Sequence, residues 1–215
     1  NFYTANVSGF EALVKTADRL WSVSAGAVLS QKYYSSDPAA LGHSLNFNAG
    51  RTGGKFRADY NFSMMSDTYD PNDMGYLRKN NEIEHSVDFS YNTYEPFGNI
   101  MTTRTSLDFS YGQLYNPRAF TTAEVRLDAM ILLMNFWSLS LDLELTPWGE
   151  DDYFEPRTPD MSMFYHRPAA FEAGFRGDTD KSKRFYIQGS AGYVKAWSDY
   201  SQHGYMWSLQ PEFKA

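Results

Sequence analysis

The sequence predicts an all-β fold, an antiparallel up-and-down transmembrane β-barrel with about eleven strands visible in a single domain over residues 1–215. Three observations predict it. Apolar and polar residues alternate with period two along most of the chain. The connections between the alternating stretches run short, then long. Trp and Tyr gather where the stretches end.

The N-terminal stretch Phe2 to Val14 is the first strand. In the second, Trp21, Val23, Ala25, Ala27 and Leu29 alternate with Ser22, Ser24, Gly26 and Ser30. Leu45, Phe47 and Ala49 then alternate with Ser44, Asn46 and Asn48. In KFRADYNFSM, residues 55–64, Phe56, Ala58, Tyr60, Phe62 and Met64 lie opposite Arg57, Asp59, Asn61 and Ser63. The pattern returns around Ile83–Tyr91, Ser106–Tyr111, Glu124–Ala129, Trp137–Leu145, Phe171–Arg176, Phe185–Ala191 and Trp207–Gln210. An extended chain sends the two sets to opposite faces. No window offers a helical period of comparable quality.

Connections near Lys15–Asp18, Arg51–Gly54, Glu95–Asn99, Asn135 and Gly177–Ser182 read as tight hairpins. Those at Tyr34–Leu41, Ser66–Glu82, Gly112–Thr121, Pro147–Arg167 and Ser198–Gly204 read as mostly longer. Barrels of the outer membrane sort their loops by length in this way. Trp21, Trp137, Tyr94 and Phe97 stand beside short turns. Tyr33, Tyr34, Tyr111, Trp148 and Trp197 stand at the other ends, as two interfacial belts require.

Magnitudes decide which face is inside. The polar face carries Arg57, Arg104, Arg126 and Arg176 against Asp59, Glu84, Asp88, Asp108, Glu124, Asp128, Asp142, Glu144 and Glu172. The apolar face is almost free of charge away from strand ends, apart from His43 and His85. An Arg or Lys facing mid-bilayer costs about 2–4 kcal/mol, whereas a soluble sheet tolerates charges on its edges. The apolar face is therefore expected to meet lipid, and the charged set to line an acidic lumen. An odd strand number and an end at SLQPEFKA suggest a piece of a larger barrel, and the chain starts at Asn1 without Met or a leader.

Composition narrows the partners. A formal charge of −7 and the lack of a basic patch argue against nucleic acid. The absence of Cys removes disulfides and thiolate chemistry. Mean hydropathy is −0.53 and no run approaches a spanning helix, which leaves strands as the only way across a membrane.

YDPNDMGYLRKNNEIEHSVDFSYNTYEPFGNI, Tyr69 to Ile100, resembles the central signature of a family of Bacteroidota outer-membrane proteins. The resemblance lies in Asp70–Arg78, in the paired Asn80 and Asn81, and in the Tyr94-Glu95-Pro96 turn. The acidic loop PWGEDDYFEPRTPD is similar in position and character to one that family carries. In that family a carbohydrate-binding family 9-like N-terminal domain precedes a C-terminal β-barrel of unassigned function. The resemblance implies that this chain is part of the barrel, and adds a link to carbohydrate.

Two loops hold candidate ligand sites. Asp67, Asp70, Asn72 and Asp73 surround Pro71 and Gly75; their oxygens suit Ca²⁺ or a sugar, and the same residues build an Asx-type turn, the favoured reading. Trp148, Glu150, Asp151, Asp152, Tyr153 and Glu155 combine acids with rings that could stack on a sugar; a plug or lid over the barrel mouth is favoured. His43–Ser44 and His85–Ser86 invite a lipid-hydrolase reading, but adjacent strand residues point to opposite faces, so no catalytic residue and no enzymatic activity is expected.

The expectation is a porin-like barrel of the bacterial outer membrane that passes or handles material at the cell surface. Its partners would be outer-membrane lipid, glycans and other surface proteins. A soluble β-sandwich or jelly roll that binds glycans is the first rival, and an outer-membrane lipid hydrolase the second.

Overall fold

In the computed structural model, residues 3–35, 37–73, 75–158, 160–198 and 202–214 are described. Alternating sequences rich in aromatic and branched residues favour strands, and each strand must find a neighbour for its main-chain groups. The strands are β1 Tyr3–Lys15, β2 Trp21–Tyr34, β3 Ala40–Arg51, β4 Phe56–Met65, β5 Glu82–Thr93, β6 Ile100–Leu114 and β7 Phe120–Leu133. They continue with β8 Ser138–Thr146, the three-residue β9 Glu150–Asp152 and β10 Tyr165–Arg167, then β11 Ala169–Asp178, β12 Phe185–Trp197 and β13 Gln202–Phe213.

The all-β, antiparallel, up-and-down arrangement holds: the order is β1 to β8 in sequence, then β11, β12 and β13. The short hairpin β9–β10 branches from this path and touches β7 through the pair Thr122 and Glu150. Closure does not hold. β1 has β2 as its one neighbour and β13 has β12. The physical reason is parity. Successive long strands reverse direction, so the first and the eleventh run the same way, and an antiparallel ladder cannot join them.

The loops also differ from expectation. Segments 66–81 and 147–168 are long, but 35–39, 115–119 and 198–201 are as short as the turns at the opposite strand ends. The cores of those three segments were too polar to separate loop from strand end by composition alone.

The described chain forms two compact units. One comprises Asn1–Gly53, Ala58–Val87 and Ser110–Thr121; the other comprises Gly54–Arg57, Asp88–Phe109 and Thr122–Ala215. In the first unit, the buried positions of β2 and β3 are Ser22, Gly26, Ser30, Gly42 and Gly50, all on the small, polar face. On the other face Val23, Leu29, Leu45 and Phe47 are exposed. The second unit also exposes Phe89, Phe109, Leu141 and Phe175, but there Arg126, Asp142, Glu172 and Arg176 of the polar face are exposed too.

Among the described residues, the buried hydrophobic side chains are Tyr69, Ile83, Leu114, Ala123, Tyr153 and Tyr186. Six is far too few for a conventional core. The chain exposes 14323 Å² at a mass of 24.6 kDa, where a folded chain of that mass normally exposes about 10,000 Å².

The outer edge of β13 has a fixed hydrogen-bonding phase. Lys214 N–H donates to Arg184 C=O at 2.7 Å, which continues the β12–β13 register and turns the even residues of β13 inward. The odd residues His203, Tyr205, Trp207, Leu209 and Pro211 therefore direct their main chain to the free edge. Pro211 has no N–H to present there.

The register carries a direct test. Ser190 and Ser208 are partners with hydroxyl oxygens 2.8 Å apart. In this cysteine-free chain the pair Ser190→Cys and Ser208→Cys forms a disulfide under mild oxidation, seen as a gel-mobility shift. Ser190→Cys with Leu209→Cys does not, because a one-residue slip changes face. Cross-linking of the second pair in preference to the first contradicts the register.

Candidate functional site

The polar face is built by strand parity, and three regions of it concentrate chemistry. The first is segment 66–82. β3 and β4 end in a ladder, with Ser66 N–H donating to His43 C=O at 2.9 Å. The chain then turns back across the polar ends of β3, β2 and β1. Thr68 Oγ1 donates to Leu41 C=O at 2.7 Å, and Asp70 N–H donates to Ser30 Oγ at 3.1 Å. Lys32 Nζ meets Asp70 at 2.6 Å and Asp73 at 3.1 Å, and the Tyr3 hydroxyl donates to Asp73 at 2.8 Å.

The predicted turn chemistry is present here. Asp70 Oδ1 accepts from the Asn72 backbone and side-chain amides, and Asn72 Oδ1 accepts from Leu77 N–H at 2.7 Å. Asp67 accepts from Asn116 Nδ2 at 2.9 Å. Asn80 Nδ2 ties back to the carbonyls of Asp67 and Tyr69, while Asn81 is fixed through Asn116 and buried. Asp70 and Asp73 are thus drawn to Lys32, with Tyr3 on Asp73, and Asp67 is drawn to Asn116, while Asn72 bonds Asp70 and Leu77. Among the described residues, no group of three or more His, Cys, Asp or Glu is arranged to hold a metal.

The second region is loop 147–167, expected as a lid. Its ends pair as a hairpin, β9 with β10. Glu150 pairs with Arg167 at 3.0 Å and Asp151 with His166 at 2.6 Å across the β9–β10 ladder. Asp152 Oδ1 accepts the amides of Phe154 and Glu155. Tyr153 is buried with its ring 5.0 Å from that of Phe164, and burial pushes its hydroxyl pKa up. Trp148 and Glu155 are exposed. Gly149 opens the hairpin with φ +71°, and a Cβ there would lie 2.1 Å from Arg167 C=O, so both conformation and space require glycine.

The third region lies on β7, β8, β11, β12 and β13. The register aligns Asp128, Asp142, Gly174, Gly192 and Met206 in one row, and Arg126, Glu144, Glu172, Val194 and Gly204 in the next. These rows line a recess of about 630 Å³. Arg126 reaches Glu144 at 2.6 Å and Glu124 at 3.0 Å, one cation among five carboxylates. Placing carboxylates directly opposite one another costs stability and concentrates negative potential.

The remaining predicted lining residues are distributed along the same parity. Asp108 lies beside Asp88 and Asp128. Arg57 donates to the Tyr94 hydroxyl at 3.3 Å. Asp59 lies against Gly50, where a Cβ would meet its Oδ1 at 2.1 Å. Glu84 and Arg104 are exposed, and Arg176 donates to Asp178 at 3.2 Å. His85 meets Tyr60 at 2.8 Å on the apolar face, while the Ser86 hydroxyl accepts from Asn61 on the other, so the His–Ser dyad is split.

Sequence reasoning missed Lys32, Tyr3, Ser30, Gly42 and Asp178. The first four act through partners far along the chain, and Asp178 accepts from Ser138 as well as from nearby Arg176. Lys32, a lone cation at the polar end of β2, was the available signal.

An antiparallel, up-and-down sheet with polar residues on one face and apolar residues on the other defines the class. The family model described as a domain of unknown function (DUF5916) matches residues 1–215, and the chain belongs to that family. No curated protein and no solved structure matches it.

The Lys32 latch has a pH signature. The Lys32 ammonium, with the Asn72 amides, holds the Asp70 carboxyl below the usual carboxylate range; the Tyr3 hydroxyl and then Lys32 do so for Asp73. A carboxyl depressed in the folded state contributes stability above its unfolded value, about pH 4, and loses it as pH falls through the lower folded value. A nitroxide on Tyr76→Cys, an exposed site in the segment, therefore keeps one mobility from pH 8 to 5 and sharpens only below about pH 4. Sharpening near pH 6 to 7 contradicts the assignment.

Proposed function

We propose that this chain is the barrel-forming part of a bacterial outer-membrane protein that passes polar material at the cell surface. The observation that carries the reading is the inverted burial. On β2 and β3 the small and polar positions Ser22, Gly26, Ser30, Gly42 and Gly50 are buried, while Val23 and Phe47 there, and Phe89, Leu141 and Phe175 further along the chain, are exposed. Burying such a side chain is worth about 1.5–3 kcal/mol, so a water-facing sheet would forfeit that at position after position. Acyl chains recover it without a second protein layer.

Exposed rings at the strand ends agree with an interfacial setting. Trp21, Tyr94, Phe97, Trp137 and Phe185 stand beside short turns, and Tyr33, Tyr111, Trp148 and Trp197 stand at the opposite ends. A closed barrel would need partner strands along the free edges of β1 and β13. The acidic polar face favours cations and neutral polar solutes over anions. Neutral glycans, to which the sequence resemblance adds a link, suit the same lining through their hydroxyls.

Substitution at Leu141 separates lipid from water. Leu141→Arg in lipid vesicles lowers unfolding free energy by about 2–4 kcal/mol if the residue faces mid-bilayer. On a water-facing sheet the change stays within about 0.5 kcal/mol, and that result rejects the membrane reading. In planar bilayers, conductance by the complete protein shows cation preference that falls in Asp142→Asn/Glu144→Gln. An unchanged ion preference removes these two carboxylates from the pathway.

A further inference from the structure

Segment 66–82 does more than link β4 to β5. It lies back over the polar face of β3, β2 and β1, and main chain packs on main chain where it crosses. At Gly42 an added Cβ would lie 2.3 Å from both Thr68 C=O and Tyr69 Cα. Both are backbone atoms, with no side-chain end to swing aside. Ser30, buried beside it, donates to Gly42 C=O at 3.4 Å and accepts from Asp70 N–H. The far end is fixed by one cation. The Lys32 side chain is 15% exposed, bridges Asp70 and Asp73, and lies 5.3 Å from the Tyr3 ring centre.

Surface loops normally run over the outside of a fold, where their polar groups can meet water. This one is turned towards the face that the proposed function assigns to the interior. Two devices of different physics hold it there: a steric seat at Gly42 and an ionic clamp at Lys32. Losing the ammonium would leave two neighbouring carboxylates facing each other, a repulsion in place of an attraction.

We propose that residues 66–73 form an inward-folded strap that closes the polar interior at this end of β1–β3, seated on Gly42 and latched by Lys32. The proposal rests on the barrel reading for what the strap closes. The strap itself is defined by the contacts above. Release at either point opens the face beneath without unfolding the strands, because the β2–β3 register between Trp21 and Arg51 does not involve the strap.

Thiol labelling tests it in the 215-residue chain, whose native sequence has no cysteine. Ser44→Cys lies two residues from Gly42 on the polar face, and Ser24→Cys lies on the same face further along β2. The reagent is a small trimethylammonium methanethiosulfonate, with the protein in phosphatidylcholine vesicles. Ser44→Cys reacts at least tenfold more slowly than Ser24→Cys. Lys32→Met or Gly42→Ala each raises the Ser44→Cys rate about tenfold and leaves Ser24→Cys within twofold.

An unchanged Ser44→Cys rate in both variants overturns the strap. Equal acceleration at both thiols also overturns it, since that reports loosening of the whole sheet. A third thiol, Phe62→Cys on the apolar face, checks the underlying reading separately. If it reacts as fast as Ser24→Cys, the membrane setting fails; a Ser44-specific acceleration still supports the strap as a cover of that face.

Discussion

The antiparallel main-chain ladder is the constraint on which everything else depends. With six buried hydrophobic residues among those described, side-chain packing cannot define the fold as it does in an ordinary domain. Hydrogen bonding between neighbouring strands supplies the order, and the period of two then decides which residues share a surface. Face and register are one variable here. A slip by a single residue would move Asp142 and Glu144 to the side of Leu141 and Leu143 and invert the chemistry of the whole strand.

That dependence explains how polar residues come to be grouped without a pre-shaped cavity. Asp128, Asp142 and Gly174 meet because their strands are in register, and the glycines at 174, 192 and 204 leave room above the rows. Arg126 compensates Glu124 and Glu144 across the same ladder. The strap obeys a different logic. Its contacts are long in sequence and few, and it relies on the absence of a side chain at Gly42 and the presence of a charge at Lys32.

Much of this was legible in the sequence, and the division follows sequence distance. The eleven long strands were readable because alternation is local; β2 begins at Trp21 as its pattern indicates. The separation of His85 from Ser86 followed from parity alone. The acids of loop 147–167 read as part of a plug or lid, and their pairing with His166 and Arg167 is not visible from the acids alone. The order Glu150, Asp151 against His166, Arg167 is that of an antiparallel pair, and charge complementarity was the clue. The Asp70–Asp73 cluster resembled a cation site for a related reason: its cation is a lysine, thirty-eight positions earlier in the chain for Asp70. Closure could not be read locally, since it depends on the number of strands and not on the character of any one.

Pro211 gives the open side of β13 a further property. A row of free donors and acceptors on a flat aromatic strand is the usual template for fibril growth, since an incoming chain can zip along it without any fitted surface. Here the zip stalls at the imino acid, two positions beyond Leu209, where no donor exists to continue it. An incoming extended chain can therefore pair along His203–Leu209 but not past it, so the proline sets where pairing on this edge must end.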